Sequence, residues 1–452
     1  MLIYLPVETS RREVVAKIFT AVALAGKGFP VVVFRSSFFE RNGWPSPGIY
    51  IGKNCFRNAG VGNEKHYNAI KNRGIRVWHL DEEGGVYIGT SEDAWRKVLL
   101  KRLDPTALKA DDKIFTWGEW QKQAYLEQNP ACPVCVTGSP NFDIFDPAYA
   151  EALSEFDKAE TEGRENFILV NTRFSLSNGL LSIKRHLQED SPVAQHVDPR
   201  SLRHWISQSG ILQYSFISLV QHLSEALPHD EIVLRPHPAE DPELYHDLLS
   251  GFPNVSVEWR GDAGSWIRRS RALIHNGCTT AVQAQIAKKP VITYFPISEA
   301  DDLSPGLPNL IGEKCETVSA VIRALEKNSI AEDPPILSRT IARVGAIGEI
   351  VRMVKEECTP PAGGAELAEI VAQVEASARR GRSRDARKRL ADQLFPKRNK
   401  NPNKGRKFDA GFFRRGIEVC SAASRLLGCE VDLLTPHDDC FLLVPRNLVA
   451  AR

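Results

Sequence analysis

Arg235-Pro-His-Pro238 and, forty residues on, His275-Asn-Gly-Cys-Thr-Thr280 hold the side chains of this 452-residue chain best suited to handling a phosphate. The prolines on either side of His237 fix its backbone and remove two competing N–H donors. An imidazole held in this way beside Arg235 can hydrogen-bond or protonate a departing phosphate. The blander reading is a loop histidine satisfied by its neighbours. In the second stretch Asn276-Gly277 permits a tight turn, and Thr279 and Thr280 add hydroxyls to the unpaired N–H groups of a helix start, with a positive dipole end behind them. An ordinary helix cap would use Thr279 equally well. A third cluster, Asp81-Glu82-Glu83-Gly84, follows the strand-like Val77–Leu80, and one of its carboxylates could act as general base on a hydroxyl; a solvated acidic turn is an equally good account. Glu8, Thr9 and Arg11 occupy the corresponding place after the first strand.

These residues need elements that deliver them to one edge. In the first part strand-like runs alternate with amphipathic segments: Leu2–Leu5, Pro30–Phe34, Ile49–Ile51, Ile75–His79 and Ile114–Trp117. The first helix begins at a Ser10-x-x-Glu13 capping box and carries Val14, Val15, Ile18, Phe19 and Val22 at helical spacing. The second part repeats the style. Strands are expected at 167–170, 231–235, 255–258, 272–275 and 290–295, with a long helix around Trp205–Leu227 and a last one near Cys315–Lys327. Such alternation predicts parallel sheets with helices on both faces, and ligands in those sheets bind at the carboxyl ends of the strands. The acidic, helical-looking stretch Pro147–Glu165 reads as the connection between the halves.

Composition narrows the class. Hydrophobic content of 42% and charged content of 25% suit a globular chain with ample core. Nine scattered cysteines and a start without secretory character fit a reducing cytoplasm, and no apolar run approaches the length of a membrane span. The formal net charge is only +2, yet residues 378–416 hold fifteen Lys/Arg against three Asp, leaving the rest of the chain net negative. That stretch reads as a solvated arm or as a contact with an anionic membrane surface, and the charge-rich Pro396–Lys407 as a flexible linker. No nucleic-acid recognition module accompanies it, so no nucleic acid is expected as partner. Cys132-Pro-Val-Cys135 has no second pair at metal-site distance, and Asp-x-Asp is absent, so no metal is expected. The absence of a Walker A loop, a Gly-x-Gly-x-x-Gly and a Gly-x-Ser-x-Gly speaks against nucleotide hydrolysis, dinucleotide chemistry and a serine hydrolase.

Over residues 2–325 the chain resembles bacterial surface carbohydrate biosynthesis proteins, glycosyltransferase-like chains of the two-Rossmann GT-B kind. The resemblance rests on Leu5-Pro-Val-Glu-Thr, His79-Leu-Asp-Glu-Glu-Gly, Phe115-Thr-Trp-Gly-Glu, Val136-Thr-Gly-Ser-Pro-Asn-Phe-Asp143, Leu234-Arg-Pro-His-Pro, His275-Asn-Gly-Cys-Thr-Thr-Ala and Lys289-Pro-Val-Ile. A looser similarity reaches sialyl- and Kdo transferases that use CMP-sugars, through Glu82-Glu83-Gly84, His237-Pro238 and Thr279-Thr280. It implies that Glu82 or Glu83 is the base, that His237 assists the departing nucleotide phosphate, and that the threonines bind that phosphate. Gln283 departs from the pattern, which places a Glu there to hold the ribose; an amide can still hydrogen-bond a hydroxyl.

The expectation is therefore an α/β protein of two Rossmann-like domains facing a cleft, with a basic C-terminal extension. Residues 1–160 form the acceptor side (Glu8, Thr9, Arg11, Asp81, Gly84). Residues 161–330 form the nucleotide-donor side (Arg235, Pro238, His275, Asn276, Gly277, Thr279, Thr280, Gln283). Closing helices occupy 331–360 and a basic, partly disordered extension 361–452. The expected activity is metal-independent transfer of a sugar, first choice Kdo or a related acidic sugar from a CMP donor, to a glycan or lipid-linked acceptor of the bacterial surface, with no cofactor besides that co-substrate. The location is cytoplasmic, with 378–416 against the inner membrane face. A CDP-glycerol-type glycerophosphotransferase and a non-catalytic membrane- or polyanion-bound scaffold are the alternatives.

Overall fold

Six segments of the first part pair as strands β1 (Leu2–Val7), β2 (Val31–Arg35), β3 (Gly48–Gly52), β4 (Arg76–Leu80), β5 (Lys113–Thr116) and β6 (Val134–Val136). In this computed structural model they are all parallel, in the order β2-β1-β3-β4-β5-β6. Residues 1–53, 64–80, 82, 87–89, 91–188, 191, 197–297, 306–342, 345–394 and 411–446 are described. Every residue of β1 is buried, as expected where helices cover both faces of a parallel sheet. The second sheet holds β7 (Ile168–Asn171), β8 (Ile232–Arg235), β9 (Val255–Val257), β10 (Ala272–His275), β11 (Val291–Tyr294) and β12 (Glu313–Cys315), again parallel, in the order β12-β11-β10-β7-β8-β9. The expected α/β architecture of two Rossmann-like units is thus present. β6 and β12, three residues each, were too short to stand out as apolar runs.

The order of strands says where ligands belong. In the first sheet the chain reverses direction of travel between β1 and β3; in the second it does so between β7 and β10. Loops leaving the carboxyl ends of such a pair diverge and leave a crevice. One crevice is bordered by the segment after Val7 and by Lys53, the other by the segments after Asn171 and His275.

The last part of the chain, expected as a basic, partly disordered extension, packs in its described portions against the first unit. The helix Gly364–Leu394 lies along the first unit, where Ser377 donates to Gly43 O at 2.8 Å and Arg380 to Asn42 O at 2.6 Å. A helix Gly411–Leu427 and the hairpin β13 (Val431–His437), β14 (Cys440–Pro445) follow. β14 pairs antiparallel with β2, with Leu442 opposite Val32, so the hairpin covers an edge that would otherwise expose unpaired backbone groups. Gly416 makes this packing possible: a Cβ there would meet the Phe441 ring at 2.3 Å. No helical period or strand alternation over 412–446 announced the pairing, because its partner strand lies four hundred residues upstream. The expected linker 396–407 lies outside the described residues. Among the described residues no helix is long and apolar enough to cross a membrane.

Candidate functional site

The two crevices open onto a single cavity of about 420 Å³. The first unit contributes Arg11, Arg12, Glu13, Glu82, Trp117, Asn141 and Phe142. The second contributes 171–176, Trp205, Arg235–Pro238, Trp259, Asp262–Gly264, Asn276–Thr280 and Gln283. Ten residues singled out from the sequence meet here: Arg11, Glu82, Arg235, His237, Pro238, Asn276, Gly277, Thr279, Thr280 and Gln283.

On the wall formed by the second unit, Gly277 adopts φ +64°, a conformation that side chains with a Cβ resist, and so turns the chain directly after β10. Asn276 is buried and donates its amide to Tyr294 O at 3.1 Å, which anchors the turn to β11. Thr280 Oγ1 accepts a hydrogen bond from the Asn171 amide at 2.9 Å, tying together the two loops of the crevice. The helix that follows, Thr280–Ile286, has only seven residues, and no side chain caps it. Hydroxyls and loop N–H groups, rather than a long helix dipole, equip this corner for an anion. His237 presents a defined tautomer. Its Nδ1 accepts the Ala239 N–H at 3.2 Å, so in the neutral ring the proton sits on Nε2.

Two residues of this wall play parts different from those expected. His275 is fully buried beneath the turn rather than at the cavity. Thr293 Oγ1 spends its proton on Ile311 O at 2.7 Å and therefore accepts from His275 Nε2 at 3.0 Å, while Nδ1 faces the Cys278 N–H at 3.4 Å. Burial lowers its pKa to about 3, so the ring stays neutral and supports the turn. Arg235 borders the cavity, yet its guanidinium donates to Arg260 O at 2.6 Å and Gly261 O at 2.9 Å and lies over the Trp266 ring. Burial and the nearby Arg11 bring its pKa down to about 10. It braces the 260–261 loop.

On the opposite wall lies a network of buried charge. Glu82 pairs with Lys17 at 2.7 Å, both side chains almost wholly buried. Glu13 pairs with Lys53 at 3.3 Å and accepts the Glu8 N–H at 2.7 Å; Lys53 also reaches Glu8 at 3.1 Å. Burial pushes the Glu82 carboxyl upward, against the pull of Lys17 and with help from Glu13. His79 behind them is driven down to about 3 by burial and by the two lysines. The expected capping box is shifted: Thr9 is the cap residue and Glu13 reaches back to Glu8 rather than to Ser10. Glu8 and Thr9 accordingly serve the helix start and the lysine pair instead of lining the cavity. Asp81, Glu83 and Gly84 lie outside the described residues.

Arg11 bridges the walls. It donates to Trp259 O at 2.8 Å, and its guanidinium lies 4.7 Å from the centre of the Trp259 ring. A second bridge is fully buried: Arg268 makes a two-pronged pair with Asp157, both bonds at 2.7 Å, and Glu160 accepts the Asp262 N–H at 2.6 Å. Arg414 and Arg415 of the C-terminal helix also reach Glu160. The stretch 147–165 thus carries buried charge contacts to both units as well as connecting them. Part of the basic stretch 378–416 is spent on internal contacts: Arg380, Arg382 and Arg384 on Asn42 and Pro436, Arg414 and Arg415 on Glu160.

Sequence reasoning missed Glu13 as a cavity residue, the loop 171–176, Trp205, Trp259 and the buried Glu240. Asn171-Thr-Arg173 stood at the end of a recognised strand, and the strand-end rule alone would have put it on the cavity. Glu13 was hidden by its capping role.

Fold and cleft define a class: a two-domain α/β protein of the GT-B-like arrangement, with two Rossmann-like units facing one cavity. No protein-family model and no curated protein matches the chain. Solved structures overlap it at low identity. The UDP-GlcNAc 2-epimerase of Methanocaldococcus jannaschii in complex with UDP-GlcNAc and UDP is 12% identical, with a TM-score of 0.44, over 79% of this chain and 100% of that one. The UDP-GlcNAc 2-epimerase of Neisseria meningitidis bound to UDP-GlcNAc is 14% identical, with a TM-score of 0.44, over 79% and 99%. The wall teichoic acid polymerase TagF is 11% identical, with a TM-score of 0.42, over 79% and 88%.

Proposed function

We propose that the protein is a glycosyltransferase that binds a nucleotide-activated sugar in this cavity and passes the sugar to a glycan or lipid-linked acceptor. One observation carries the reading: His237 and the Thr279–Thr280 turn share a single cavity with the carboxylates of Glu13 and Glu82 on the facing wall. The nucleotide phosphate sits against Thr279, Thr280 and the loop N–H groups after β10. The His237 Nε2–H hydrogen-bonds the phosphate oxygen that takes up charge as the glycosidic bond breaks. Gln283, also on the cavity, hydrogen-bonds a ribose hydroxyl in place of a carboxylate. The acceptor enters from the first unit, where Glu82 or Glu13 takes its proton. Burial raises the affinity of Glu82 for a proton and suits it to that task, provided Lys17 gives way as the acceptor binds.

A CMP donor carrying Kdo or a related acidic sugar is the first choice for the donor, on the strength of the His-Pro and Thr-Thr pairings. Surface-polysaccharide synthesis is the setting, with Arg387, Lys388 and Arg389 in contact with an anionic membrane face. Thermal-shift titration with CMP, CDP, UDP and GDP tests the reading without knowledge of the acceptor, since a ligand of the native state raises the melting temperature by mass action. Stabilisation by one nucleotide, reduced in His237→Ala, is the expected result. No shift with any of the four would remove the nucleotide from the proposal.

A further inference from the structure

We infer that Glu240 is a positioning residue that locks the loop after β7 and the His237 loop into one unit. It stands outside the cavity and is 1% exposed. Its two oxygens divide the work. Oε1 accepts the backbone N–H of Phe174 at 2.8 Å and that of His237 at 3.2 Å; Oε2 accepts the hydroxyls of Thr172 at 2.8 Å and Tyr245 at 2.5 Å.

Accounting for the backbone donors shows why an acceptor oxygen is needed there. Pro236 and Pro238 have no N–H, so the His237 loop offers few donors. The Ala239 N–H goes to His237 Nδ1 and the Glu240 N–H to His237 O at 2.8 Å. The His237 N–H goes to Glu240 itself, and the same oxygen takes the Phe174 N–H from the neighbouring loop. Two donors cannot satisfy one another, and a buried N–H without an acceptor is costly. One acceptor between them joins the loops at their inner ends, where Phe174 and His237 line the cavity. The outer ends are joined separately, by the Leu180 N–H to Ala239 O at 3.0 Å and the Asp241 N–H to Asn178 O at 2.8 Å. Burial pushes the Glu240 carboxyl up to about 7 against the pull of these four hydrogen bonds.

For its functional consequence the inference rests on the proposed nucleotide site; its structural part does not. The test uses the full chain with Glu240→Gln, Glu240→Asp and Glu240→Ala, read by hydrogen–deuterium exchange and by titration with CMP, CDP and UDP. Gln keeps the carbonyl oxygen that both N–H groups need and turns its amide toward hydroxyls that can accept. It is expected to exchange like the wild type and to bind within about threefold of it. Asp keeps the charge but is one methylene short, and is expected to behave like Ala. In both, peptides covering 172–176 and 237–240 exchange at least about tenfold faster together, those covering 178–180 and 276–283 are unchanged, and nucleotide binding weakens about tenfold. Should Ala fail to fold, the contrast between Gln and Asp decides alone. Wild-type exchange in either inner loop of the Asp variant, uniform loosening of the whole second unit, or a Gln variant as impaired as Asp would overturn the inference. If the wild type binds none of the three nucleotides, the proposed function fails, and the exchange result still judges Glu240.

Discussion

The two walls of the cleft are built on opposite electrostatic plans. The first unit faces the cavity with formal charges already paired and buried, Glu82 with Lys17 and Glu13 with Lys53. The second faces it with hydroxyls, an imidazole and loop N–H groups beside Arg173, Arg235 and Asp262, ties the Arg235 guanidinium to the 260–261 loop, and keeps the Glu240 carboxylate behind the surface. A buried ion pair adds little net stability, yet losing one partner is expensive because the other charge stays behind. Hydroxyls, an imidazole and N–H groups carry no such penalty and remain ready for an incoming anion. The first wall is therefore fragile to single substitutions in its fold, and the second in its binding.

That contrast can be broken in several ways. The largest effect is expected on the first wall: Lys17→Met leaves Glu82 buried without its cation and should cost about 3–5 kcal/mol in urea denaturation. On the second wall His237→Ala, which frees the Ala239 N–H, should leave stability within about 1.5 kcal/mol of the wild type while lowering transfer about a hundredfold or more, a barrier change of about 2.7 kcal/mol. A fall in stability to match would make His237 structural.

Acidification probes both walls through their buried histidines. His79 and His275 have folded pKa values near 3 against an ordinary value of 6.5. Between those values the unfolded chain takes up protons that the fold refuses, so stability is present above about pH 6.5 and is lost as pH falls. Each contributes about 2 kcal/mol of that loss by pH 5. Glu240 acts in the opposite sense: its folded pKa near 7 makes the fold bind a proton more tightly than the unfolded chain between about 4.5 and 7. His275→Gln should flatten the acid loss measured between pH 7 and pH 5; an unchanged slope would show that the ring titrates in the fold. The smallest effect is reserved for Thr280→Val, which should weaken nucleotide binding about tenfold while changing stability by about 1 kcal/mol or less.

The walls also differ in how far the sequence reveals them. The second is written in short contiguous stretches directly after strands, and Arg235–Pro238 and Asn276–Thr280 could be read as a pair because both strands were plainly apolar runs. The first is assembled from Glu13, Lys17, Lys53 and Glu82, which lie on a helix, a strand end and a loop, and only the β1-β3-β4 order brings them together. Glu82 could be named but its lysine partner could not. His275 misled for a related reason: its strand-end position suits a ligand group, while its side chain follows the alternation of β10 into the core. The hairpin at the end of the chain escaped notice because the evidence for it is the uncovered edge of β2.

Central to the account is the claim that one cavity holds a nucleotide phosphate between the Asn276–Thr280 turn and His237. The most direct measurement is a crystal structure of the full chain soaked with the nucleotide that raises its melting temperature most. The account predicts phosphate density within hydrogen-bond reach of Thr279 or Thr280 and of His237 Nε2, with the base on the side of Trp205 and Phe174. A nucleotide bound away from this cavity, or one whose phosphates point to the Glu13–Glu82 wall, would contradict it.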